Sequence, residues 1–268
     1  MKNTVLIMKF AATLMIVVLL WGCSGEEQES SSKLKTPYDD WKTYSYQNIE
    51  IRYPVGHLQE GTFEDISRVY QTMIKRACGL LHINVPGDTL RIIYHTGFGQ
   101  GRELTGHEYP YATGDTIFFW LPSFYGPTLM QYLIPRWHPE EPRHIFLKHG
   151  LIALLDFSGQ NYHTSTARHI HTDRFIPLAE LAVTINVNSD TERYESAMSA
   201  SFVDYIIYTY GIKTFDSLYL SQRSFEDEVR NMLDLSLDSL QEQWLEMSGE
   251  AAKLDTAGYR RYILEQEG

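Results

Sequence analysis

Apolar and polar positions alternate from Trp41 to Val55, with Ile49, Ile51 and Tyr53 on one side, which predicts a strand. Phe63, Ile66, Tyr70, Met73, Ala77 and Leu80 then recur at helical spacing. Thr62 is the expected N-cap, and Asn84 with Pro86 mark the expected end. Residues 89–95 predict a further strand, followed by a loop through Gly97, Gly99, Gly101 and Gly106. Gly114-Asp115 separates two aromatic-rich runs and predicts a hairpin whose second arm is 116–121. Beyond Pro122 the pattern turns helical, with helices expected over about 127–134, 143–157, 192–210, 213–220, 224–232 and 236–248. The helix over 143–157 is apolar almost all round, which marks it as central and buried. Strands first and helices afterwards predict an α+β fold: a small antiparallel or mixed sheet with an edge hairpin, followed by a helical half.

Residues 1–22 follow a different pattern. Lys2 and Lys9 precede an apolar run from Phe10 to Trp21, then Gly22 and Cys23, the three-part form of a secretory signal. The run is short for a bilayer span. Leu20-Trp21-Gly22-Cys23 resembles a bacterial lipobox. The resemblance implies that the leader is cut before Cys23, that its thiol receives a diacylglycerol and that its new amine is acylated. Residues 23–36 are acidic and serine-rich with nothing to bury, so they read as a tether, and 37–268 as a single domain. The acids after Cys23 resemble the surface-export signal of lipoproteins from Bacteroidetes-like bacteria. The expected location is the outer membrane, facing the periplasm or the cell surface.

Charge and cysteine content narrow the classes further. The 34 acidic and 23 basic residues give a net charge of -11, and cleavage before Cys23 removes two lysines and makes it -13. Such a surface repels phosphate backbones and carries no local basic patch, so no nucleic-acid partner is expected. Two cysteines build neither a disulfide scaffold nor a four-cysteine zinc site. With Cys23 lipidated, Cys78 is a lone thiol in a helical pattern and is expected to be buried.

The segments around Ile145–Asp156, Ile176–Leu181, Tyr194–Gly211 and Leu235–Leu245 follow one another in an order similar to that of the gluzincin, or peptidase MA-like, metallopeptidase domain, with the match spanning about residues 48–248. That family needs His-Glu-x-x-His on a helix: four-residue spacing puts two imidazoles on one face to bind zinc while the glutamate activates the metal-bound water, and a glutamate from the next helix completes the site. Laid on this chain, His149 stands where that last glutamate belongs. Pro127 and Gln131 stand at the histidine positions and Thr128 at the general-base position. No His-Glu-x-x-His occurs anywhere; His107-Glu108 runs into Tyr109-Pro110 and has no second histidine four positions on. The resemblance thus implies a degenerate domain with a lost zinc site and no cofactor, a pseudoenzyme that holds a polypeptide or cell-envelope ligand in the old cleft.

Other chemistry is sparse. His149 is flanked by Ile145, Phe146, Ile152 and Ala153 and is expected inside the core. His163, His169 and His171, with Arg168 and Arg174, read as a solvated surface segment. An active hydrolase with a centre remodelled around these histidines is the alternative. No Gly-x-Ser-x-Gly elbow is present. Tyr109, Tyr111, Phe118, Phe119, Trp120 and Phe124 cluster around the hairpin that borders the substrate cleft in the family. Tyr111, Phe119 and Tyr194 are the expected cleft-lining residues. A cleft filled by Met130 and Phe146 would instead favour a purely structural envelope protein.

Overall fold

The computed structural model describes residues 37–56, 60–120, 125–156, 158–183 and 192–254. The expected leader, Cys23 and the expected tether lie outside them. The alternating stretch after Trp41 forms two strands rather than one, β1 (Lys42–Tyr46) and β2 (Ile49–Tyr53), paired antiparallel with Tyr46 opposite Ile49. The chain reverses at Gln47, whose φ of 52° is left-handed. A glutamine rarely takes that conformation and so gives no turn signal. Its side-chain oxygen accepts from Gln71 Nε2 at 2.7 Å.

Helix α1 (Glu60–Leu81) carries the chain over to β3 (Leu90–His95), which runs parallel to β2 with Ile92 opposite Ile51. Thr62 lies inside the helix and is not its cap. The glycine-rich stretch expected as a loop is helix α2 (Phe98–Thr105), closed by Gly106 in the left-handed conformation with its N–H donating to the Arg102 carbonyl at 2.8 Å. Its glycines permit close approach: a Cβ on Gly101 would stand 2.5 Å from the Trp120 ring. The predicted hairpin is present as β4 (Tyr111–Thr113) and β5 (Thr116–Trp120), turning at Gly114 with φ 59°. Strand β5 lies parallel to β3, so the five-stranded mixed sheet has the order β1-β2-β3-β5-β4. Parallel neighbours need crossovers, so α1 and α2 interleave with the strands where the sequence pattern led us to expect strands first and helices afterwards.

The rest is helical: α3 (Tyr125–Trp137), α4 (Ile145–Leu154), α5 (Tyr162–His171), α6 (Leu178–Leu181), α7 (Glu192–Tyr210), α8 (Ile212–Leu220), α9 (Phe225–Leu233) and α10 (Leu237–Leu254). Helix α5 was not anticipated because its buried face is Tyr162, His163, Thr166 and His169, an aromatic and polar set with no aliphatic stripe. Asn161 caps it by accepting from the Thr164 N–H at 3.1 Å. None of the helices among the described residues is long and apolar enough to cross a membrane.

One continuous apolar core joins the two halves. From the sheet it takes Ile49, Ile51, Tyr53, Leu90, Ile92, Tyr94, Ile117 and Phe119, all on one face, and from α1 it takes Phe63, Tyr70, Met73 and Ala77. Cys78 is buried beside them, and burial pushes its thiol above the usual range. Helix α3 covers β4 and β5 on that face and is pinned by Arg136. This guanidinium donates to Asp88 at 3.1 Å and to the Gly114 carbonyl, and its hydrogen bond holds the Asp88 carboxyl below the usual range. Helices α4 and α7 pack closely through Gly150, where a Cβ would stand 2.4 Å from the Ser199 carbonyl oxygen.

Candidate functional site

Helices α3 and α4 carry the four positions, Pro127, Thr128, Gln131 and His149, that the metallopeptidase resemblance singles out. They pack on each other, with Gly126 laid directly on the backbone of Asp156 just past the end of α4. Thr128 is buried, Pro127 is half-buried and Gln131 is exposed. His149 is half-buried on α4 rather than enclosed in the core, because the adjacent Gly150 takes the face that meets α7. Gln131 has a definite partner: its Oε1 accepts from the Ala112 N–H of edge strand β4 at 3.2 Å. Ala112 faces Ile117 between the Tyr111–Phe118 and Thr113–Thr116 pairs, and because hydrogen-bonded pairs alternate in an antiparallel ladder, this amide answers a β4 donor directed away from β5.

Of the expected cleft-lining residues, Tyr111 is half-buried on the other face of the sheet, stacked on Phe118 at 4.8 Å and capped by His107 at 3.8 Å. Phe119 lines no opening. Side chains alternate along β5, so it points into the core and packs on Tyr94 at 5.5 Å with no exposed surface. Tyr194 belongs to α7, and its side chain lies outside the described ones. Met130 and Phe146 are both in the core.

The histidine segment around α5 differs most from expectation. His163 and His169 are buried and only His171 is exposed. His163 is the hub of a polar network that the sequence reading missed. Its Nε2 lies 2.9 Å from Asp204 Oδ2, and its Nδ1 lies 2.8 Å from Ser201 Oγ and 3.2 Å from Ser248 Oγ. Trp244 Nε1 donates to Ser201 Oγ at 3.0 Å. An anionic Asp204 accepts the Nε2 proton, which leaves Nδ1 as the acceptor for a serine hydroxyl. The residue types are those of a Ser-His-Asp hydrolase, but the carboxylate and hydroxyl occupy the opposite ring nitrogens to those in a catalytic triad. Ser201 and Ser248 are also completely buried, so no substrate carbonyl reaches them. The network crosslinks α5, α7 and α10 inside the core. The serines at 201 and 248, on otherwise apolar helix faces, were its visible trace in the sequence.

Two other buried histidines set a pH dependence. Burial lowers the pKa of His95, which sits against Trp41 and Trp120 and donates to the Phe119 carbonyl at 3.3 Å. Burial, with the charges of Arg168 and Arg174, lowers that of His169. Below about pH 6.5 the unfolded chain takes up protons that these rings refuse in the fold, so stability present above that pH falls as the medium is acidified. Thermal melts at pH 7.5 and 5.5 should show a lower Tm at pH 5.5, and replacing both histidines by glutamine should flatten the dependence. The slope for each ring is at most about 1.4 kcal/mol per pH unit.

Among the described residues, no group of three or more His, Cys, Asp and Glu side chains is placed to hold a metal ion. No family model and no curated protein matches the chain.

Proposed function

We propose that the chain is a cell-envelope lipoprotein, anchored through Cys23 in the outer membrane, whose metallopeptidase-like domain holds a polypeptide or other envelope ligand without cleaving it. The observation that carries this reading is the Gln131 amide on the Ala112 N–H. At a position where the zinc mechanism needs an imidazole there is a neutral amide engaged with the sheet edge. Neither it nor Pro127 can bind zinc as an imidazole does. The contact is exposed, so the carbonyl of an extended chain could replace the amide on this donor and add to the edge of β4. Half-buried His149 and Tyr111 belong to the elements on either side.

Elemental analysis of the purified mature protein is expected to find zinc well below one equivalent, with no peptidase activity. Stoichiometric zinc together with cleavage would overturn the reading in favour of a remodelled hydrolase. A photo-crosslinking residue at position 131 is expected to capture a polypeptide in intact cells, whereas one at exposed Tyr208 is not. Equal labelling at both positions counts against a cleft ligand.

A further inference from the structure

The register of the sheet brings several exposed apolar residues together at one end. Strands β2, β3 and β5 run parallel and finish together, with His95 opposite Trp120. Val55 follows the end of β2 and is 60% exposed, and Phe98 follows the end of β3 and is 39% exposed. Strands β1 and β4 run the other way, so the residues just before them lie at the same end. These are Trp41, edge-on to His95 at 5.4 Å, and Tyr109, 67% exposed. Trp41 is also where the chain from Cys23 enters the sheet. The 17 residues between them let the two points stand at most about 60 Å apart when extended.

Much of the charge at this end is held in ion pairs. The first turns of α1 also lie here, with Phe63 on Tyr53 at 4.0 Å, and Arg68 there pairs with Glu64. Arg102 pairs with Glu108 and Arg52 with Glu50. An aromatic surface beside the point of attachment suits the interface of a bilayer, where Trp and Tyr place an apolar ring among the acyl chains and a polar edge among the headgroups.

We infer that this end of the sheet docks on the lipid surface that holds the anchor, with Trp41, Val55, Phe98 and Tyr109 in the headgroup region and the acidic helical half turned away. The inference rests on the lipoprotein reading. Docking orients the domain, so that the β4 edge and Gln131 stand at a set height above the membrane instead of wandering on the tether.

The test uses the full mature lipoprotein reconstituted into vesicles of phosphatidylethanolamine and phosphatidylglycerol, with and without brominated lipid. Brominated chains are expected to quench the tryptophan emission, and Trp41→Phe should remove most of the quenched component. The double variant Phe98→Ser, Tyr109→Ser should lose the quenching while still floating with the vesicles and keeping its circular dichroism spectrum and Tm. Intact-mass measurement of Cys23 reports acylation independently. An acylated, floating protein whose Trp41 is unquenched overturns the docking alone. A chain without acyl groups overturns the anchor and the docking together.

Discussion

Gly150→Ala is expected to destabilise the domain by about 3 kcal/mol or more, lowering Tm by roughly 10 °C. The added methyl would lie 2.4 Å from the Ser199 carbonyl oxygen, 2.6 Å from its carbonyl carbon and 2.7 Å from a Val203 methyl. Two of these atoms are backbone in the middle of α7, so a rotamer change cannot relieve the overlap. The helices must separate, and the core residues Phe146, Leu147 and Leu151 of α4 would lose contact with Phe202 and Val203. Gly79 and Gly249 are the controls. Each is inside a helix and has no atom within 4 Å of a new Cβ, so alanine there is expected to stabilise by about 0.5–1 kcal/mol. Melting curves that move the same way at all three positions would sink the argument from close approach.

Trp244→Ala should cost about 3–5 kcal/mol in a denaturant titration, the usual range for a buried tryptophan. Its ring has no exposed surface and packs edge-on to Phe202 at 5.4 Å and beside Phe175 at 5.8 Å, tying α10 to α7 and to the segment before α6. A second contribution comes through Nε1. Trp244→Phe keeps much of the packing but withdraws the donor from Ser201, which retains His163 and Ser248 as partners. A double-mutant cycle of Trp244→Phe with Ser201→Ala is expected to show a coupling of about 1 kcal/mol. Additive values would mean that this hydrogen bond adds nothing to stability.

Most of the regular structure was legible because it depends on local signals. The period of α1, the Gly114-Asp115 turn and the apolar stripes of α7 to α10 are written in consecutive residues. The misreadings share one cause: a contact distant in sequence overrode the local preference. Gln47 turns the chain left-handed, and its side chain is engaged by Gln71 on α1. Gly101 sits in a helix, where Trp120 leaves no room for a side chain. His163 looked solvated because its partners Ser201, Asp204, Trp244 and Ser248 lie about 40 to 85 positions away.

The candidate site divides along the same line. That no His-Glu-x-x-His exists, that the chain is strongly acidic, and that Cys23 follows an apolar leader are properties of the residue string, and no packing could alter them. Only the tertiary structure decided how Gln131, His149 and Phe119 are placed. It put the Gln131 amide on the edge of β4, left His149 half-buried and turned Phe119 inward. It also brought Trp41, Val55, Phe98 and Tyr109 to one end of the sheet, because strand direction and register place residues far apart in sequence side by side. Ligand chemistry is limited by which side chains a chain possesses. Whether those side chains meet depends on how the strands and helices pair.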